Sequence, residues 1–99
     1  MIMPRRRKRR GERRVGSIPK RRCFSPTEGE SKEVVLRVEE VETLRLVDLK
    51  NMTQEEAARE MDISRKTLWN DLKSARKKVA KALSEGLTIR IEGGKYQLR

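Results

Sequence analysis

The chain contains no histidine, one cysteine (Cys23) and three aromatic residues, Phe24, Trp69 and Tyr96. Without histidine there is no imidazole to act as general base or to activate a thiol. A lone cysteine builds neither a disulfide framework nor a zinc site, so Cys23 reads as an incidental thiol. No apolar run approaches the roughly 20 residues of a membrane span. The bases near the start are followed by no apolar stretch and do not read as a secretory signal. A Gly-rich phosphate loop, a metal-ligating cluster and a nucleophile–base pair are also missing. These absences predict no enzyme, no cofactor, no metal and no membrane partner, and a cytoplasmic, nucleoid-associated location.

What the chain has is positive charge. It carries 26 Lys and Arg against 15 Asp and Glu, a net +11 over 99 residues. Such an excess favours a polyanionic partner, with nucleic acid ahead of an anionic surface. The length allows one small domain with a limited core, plus a tail.

The charge is unevenly spread. Met1 to Pro26 holds eleven bases against one acid, Glu12. A run of this kind repels itself and buries little, so residues 1–32 are expected to form a disordered basic arm and linker. The run Arg5, Arg6, Arg7, Lys8, Arg9 and Arg10 would lie along phosphates or in the minor groove. A generic solubilising tail is the alternative. Residues 33–99 are expected to fold. Glu28 to Asp62 nets −6 and Ile63 to Glu85 nets +5.

Within that domain, Val34, Leu36 and Val38 alternate as in a short strand. A helix follows from Glu39, with Glu39, Glu40 and Glu42 at its positive end. Val41, Leu44, Val47 and either Leu46 or Leu49 make its inner face. Thr53 and Glu56 form a capping box for the next helix, whose inner residues are Ala57, Ala58 and Met61. Asp62 tolerates a left-handed turn, Ile63 plugs the angle, and Ser64 caps a long basic helix that stops at Gly86. Leu68, Leu72, Ala75, Val79 and Leu83 recur at helical spacing as its buried stripe.

Leu87, Ile89 and Ile91 alternate with polar residues up to Gly93-Gly94, a two-residue loop suited to positive φ. Folding the chain there predicts a β-hairpin pairing Glu92 with Lys95, Ile91 with Tyr96, Arg90 with Gln97 and Ile89 with Leu98. The hairpin reads as a structural sheet or dimer edge, or as a wing touching DNA through Arg90, Lys95 or Arg99.

Two helices joined by a tight turn, the second one basic, form the arrangement that sets a helix in the DNA major groove. A helical hairpin with a solvated charged face is the bland alternative. On the second helix Arg65, Lys66, Asn70 and Lys73 point away from the apolar stripe. Arg and Lys suit guanine O6/N7, and Asn suits adenine N6/N7. Ser64 and Thr67 could bond phosphate or base, while Arg76 and Lys77 further along would hold the backbone. Trp69 is expected half-buried against the preceding helix, with base contact as its alternative role.

PRRRKRR (4–10), IPK (18–20), FSP (24–26), EVVLRVEEVETLRLVDL (33–49), TQEEAAREMDISRKTL (53–68), SARKKVAKAL (74–83) and LTIRIEGGKY (87–96) stand in this order. In this series the chain resembles uncharacterised protein family 0251, small prokaryotic proteins predicted to bind DNA through a unit similar to region 4 of sigma-70 factors. Asp62 stands where that pattern usually has glycine, and Trp69-Asn70-Asp71 replaces a small, a basic and an apolar residue. The resemblance implies a sequence-specific role in transcription. The expected fold is mainly α: a three-helix helix-turn-helix domain with a short strand before it and a C-terminal β-hairpin, plus the basic disordered arm. The expected partner is double-stranded DNA. A homodimer, docking on RNA polymerase through Glu39, Glu40 and Glu42, and non-specific nucleic-acid binding remain open.

Overall fold

The computed structural model describes residues 11–29 and 32–98. Five strands and three helices form an α+β fold: β1 (Arg13–Val15), β2 (Cys23–Phe24), β3 (Glu33–Leu36), α1 (Val38–Thr43), α2 (Gln54–Met61), α3 (Arg65–Glu85), β4 (Thr88–Ile91) and β5 (Tyr96–Leu98). The α1 helix widens at its end into a π-helical segment, Leu44–Leu49, where the Lys50 N–H bonds the Arg45 carbonyl five residues back. Asn51, at φ 60°, then turns the chain toward α2.

The sheets correct the expected mainly α fold. β4 and β5 do not pair with each other. β4 is the centre of a three-stranded sheet, parallel to β3 (Val34 opposite Ile89, Leu36 opposite Ile91) and antiparallel to β2 (Phe24 opposite Ile89). β5 instead runs parallel to β1, with Val15 opposite Leu98. With both edges of β4 occupied, no ladder is left for a hairpin partner. Gly93-Gly94 also does different work. The Gly93 carbonyl accepts the Val38 N–H at 3.3 Å, and the Lys95 N–H reaches Glu39 Oε2 at 3.0 Å. The loop is thereby laid over the start of α1, and β5 leaves toward β1.

The expected disordered arm is corrected over residues 11–29, which carry β1 and β2, while residues 1–10 lie outside the described residues. Val15 is fully buried in a cluster with Leu36, Val38, Ala75 and Ile91, on which Val41, Val79 and Tyr96 pack. A second cluster joins Leu46, Ala57, Ala58, Met61 and Leu68 beneath Met52 and Ile63. Of the α1 alternatives, Leu46 is buried and Leu49 lies on the surface. Leu68, Leu72 and Ala75 face inward as expected, but Leu83 is 77% exposed and Ala82 takes the buried place. At about 100° per residue, Ala82 returns to the face of Leu68 and Ala75, whereas Leu83 has rotated off it. Among the described residues, no helix is long and apolar enough to cross a membrane.

Candidate nucleic-acid interface

The junction of α2 and α3 is specified by local chemistry. Thr53 Oγ1 accepts the Glu56 N–H at 3.1 Å, and Glu56 Oε1 accepts the Thr53 N–H at 3.0 Å, so two orphan donors are satisfied reciprocally. The backbone bond from Thr53, with that to its side chain, holds the Glu56 carboxyl below its ordinary pKa. Asp62 ends α2 in the left-handed conformation (φ 53°, ψ 49°). Ser64 Oγ accepts the Thr67 N–H at 3.0 Å and lies 2.9 Å from Thr67 Oγ1, so both hydroxyls are engaged in capping α3.

Beyond this cap α3 presents two faces. Arg65, Lys66, Trp69, Asn70, Lys73 and Lys77 are on the solvent side, and Leu68, Asp71, Leu72 and Ala75 are buried. Gln54, Arg65, Lys66 and Trp69 line an open depression of about 500 Å³ where the start of α3 meets the start of α2. Lys73 Nζ lies 5.9 Å from the centroid of the Trp69 ring, within cation–π range. Trp69 is 39% exposed, close to the half-burial expected, and it opens toward solvent beside Arg65 and Lys66.

Two bases of α3 turn out to be braces. Arg76 makes a two-point contact with Asp48 (2.7 and 3.1 Å), pinning the π-helical segment to α3 and holding the Asp48 carboxyl below its ordinary pKa. Lys78 binds Glu40 at 2.8 Å. Arg65, Lys66, Lys73, Lys77 and Lys81 make no ion pair among the described residues. The run Arg5 to Arg10 lies outside the described residues, as does Arg99. Of the wing residues, Arg90 is engaged with Glu33 at 2.6 and 2.9 Å, which lowers the Glu33 pKa. The dimer edge nominated on the hairpin goes with the hairpin.

The acids of α1 are the larger surprise. Glu39, Glu40 and Glu42 are at most 2% exposed, so they offer no acidic face to RNA polymerase. Glu42 accepts the Gly16 N–H at 2.7 Å and two bonds from Arg45 at 2.7 and 2.9 Å. Burial raises the pKa of Glu40, but the Arg37 N–H, Lys78, Ser74 and the Arg37 guanidinium together outweigh it and hold the carboxyl below its ordinary value. Asp71, the acid within the basic helix, receives Arg13 at 3.0 and 3.3 Å and Arg37 at 3.5 Å. Arg13, counted by sequence as part of the arm, is therefore an internal counter-ion. Its one available signal was Asp71, an acid on the apolar side of a basic helix. Among the described residues, no group of three Cys, Asp or Glu side chains is arranged to hold a metal ion.

The fold and this surface define a small α+β protein whose longest helix leaves a row of cations uncompensated. The chain belongs to the family described as "Protein of unknown function DUF134", whose model matches residues 3–99. It is 52% identical over 84 residues to a UPF0251 protein of Caldicellulosiruptor saccharolyticus, covering 85% of this chain and 60% of that protein. A UPF0251 protein of Halothermothrix orenii is 51% identical over 90 residues (88% and 67%). One from Methanocella arvoryzae is 48% identical over 91 residues (89% and 55%). The chain thus spans roughly 55–68% of the length of the curated relatives it matches. No solved structure matches the chain significantly.

Proposed function

We propose that the chain binds double-stranded DNA sequence-specifically, as a regulator of transcription, with the first half of α3 in the major groove. The observation that carries this reading is the exposed face formed by Arg65, Lys66, Asn70, Lys73 and Lys77, which makes no ion pair among the described residues, while Asp71, the acid on the same helix turns, is buried on the opposite side. From Arg65 to Lys77 the helix rises roughly 18 Å, longer than a groove is wide, so its start reads and its later turns meet phosphate. Arg65 and Lys66 suit guanine, and Asn70 suits adenine. Lys73 lies between the reading turn and the backbone-holding Lys77. Ser64 and Thr67 hold the helix start, whose free N–H groups attract a phosphate. Arg76 stays with Asp48 and stiffens α3. Arg5 to Arg10 add sequence-independent phosphate contacts. Such a protein acts at the nucleoid.

Selection of duplexes from a random DNA pool at near-physiological salt tests this. A defined motif is expected, and its symmetry reports whether one copy or two bind. Lys77→Ala should then weaken all duplexes alike, whereas Asn70→Ala should relax one base pair by roughly 1–3 kcal/mol. Deleting residues 1–10 should lower the salt slope and leave the motif unchanged. Affinity without sequence preference, falling with salt at about −0.9 per phosphate neutralised, would overturn specific reading in favour of general nucleic-acid binding.

A further inference from the structure

Among the described residues of α3, two large apolar side chains face solvent: Trp69 in the second turn and Leu83 at the far end. Trp69 sits one turn beyond Arg65 and Lys66 and one turn before Lys73, in the middle of the uncompensated cations. Its ring borders an open depression whose other walls are Arg65, Lys66 and Gln54, with no acid in the lining. Lys73 Nζ, 5.9 Å from the ring centroid, adds positive charge at the outer rim. An indole left this exposed in water gains from a partner that covers it. The partner must also tolerate three surrounding cations, which selects a polyanion over an ordinary protein surface. On the floor of the DNA major groove the one apolar base-edge group is the C5-methyl of thymine.

We propose that Trp69 reads a thymine by packing its indole on the C5-methyl group, while Arg65 and Lys66 contact the flanking base edge or phosphate and Gln54 closes the other side. This inference rests on the DNA-binding reading of α3 and adds an apolar contact to its polar ones. It assigns specificity to a position that hydrogen-bond matching alone leaves silent.

The test uses the full chain and the duplex recovered by selection. Each thymine is replaced singly by deoxyuridine, which removes the methyl and keeps every hydrogen-bonding group. One or two such replacements should weaken wild-type binding by about three- to fivefold, the scale of one buried methyl. Trp69→Ala should bind the unmodified duplex with the same loss and be blind to those replacements. Trp69 is the only tryptophan, so wild-type emission should also change on saturation with the duplex, a readout that needs no variant to fold. If a motif is selected but Trp69→Ala keeps full affinity, or stays sensitive to the same deoxyuridine, the thymine contact is wrong and the DNA reading stands. Unchanged emission at saturation equally overturns the contact. If wild type selects no motif, both readings fall, and an apolar peptide partner becomes the occupant to seek.

Discussion

Gly94 shows how much a single position can decide. Its φ of +109° is one that side chains rarely adopt, and a Cβ there would overlap Glu39 Oε1. Glu39 has no room to yield, because it is fully buried and its second oxygen holds the Lys95 N–H at 3.0 Å. Gly93, at φ +69°, has nothing near its absent Cβ. Gly94→Ala should therefore lower unfolding stability by about 2–4 kcal/mol, combining backbone strain with a displaced buried carboxylate, against about 1 kcal/mol for Gly93→Ala. Urea denaturation of the two variants checks this; equal losses would mean that Glu39 swings away freely. Both glycines were conspicuous in the sequence, but as a hairpin loop. Composition reveals that a positive φ is wanted and not what the loop lies against. Asp62 and Gly86 were legible in full, because a left-handed helix end is a local property.

At the scale of elements the same division holds. α2 and α3 were legible because capping and 3.6-residue periodicity are written within a few neighbouring residues. Thr53, Glu56 and Ser64 bond as their types dictate. The sheet was not legible, because β1 (Arg-Arg-Val) is short and charged and β2 (Cys-Phe) is only two residues long, so neither shows a two-residue period, and their partners lie more than 60 residues away. Strands at β4 and β5 were legible, but the sequence could not say which strands would claim their edges. What ties the N-terminal strand to α3 is Arg13 on Asp71, with side chains 14% and 5% exposed. Breaking a pair this deep strands a charge, so Asp71→Ala should destabilise by about 2–3 kcal/mol. Arg76 and Asp48 have equally good geometry but are 44% and 42% exposed. Water screens them, so Arg76→Ala should cost at most about 1 kcal/mol. Thermal or urea unfolding compares the two. A larger loss for Arg76→Ala would mean that bracing the π-helical segment outweighs burial.

At the scale of the molecule, charge among the described residues is sorted in part by depth: Glu39, Glu40, Glu42 and Asp71 are buried, while Glu55, Glu56, Glu60 and Asp62 stay on the surface. Counting residues divided the chain into a basic arm, an acidic middle and a basic helix. The fold cuts across that division, since Arg13, Arg37, Arg45 and Lys78 are drawn onto Asp71, Glu40 and Glu42, leaving Arg65, Lys66, Lys73 and Lys77 outside. The candidate surface was thus largely readable from the stretch after Ser64, whereas the sinks for the acids were not, because a carboxylate's partner depends on which distant strand comes to it. Glu40 lets this sorting be measured. Its pKa is held below the ordinary 4.5 despite burial, by bonds from Arg37, Lys78 and Ser74. A depressed folded pKa gives stability that is complete above the unfolded value and is lost as pH falls through the folded one. At neutral pH, Glu40→Gln should therefore be less stable than wild type by about 1–2 kcal/mol, the net worth of hydrogen bonds to a charged group. The gap should narrow steadily once pH falls below about 4.5, as wild type takes up the proton that the variant never binds. Unfolding free energies of both proteins from pH 7 to pH 2 would follow it. A gap that stays constant to pH 2 would show that shape, rather than the carboxylate's charge, is what Arg37 and Lys78 hold.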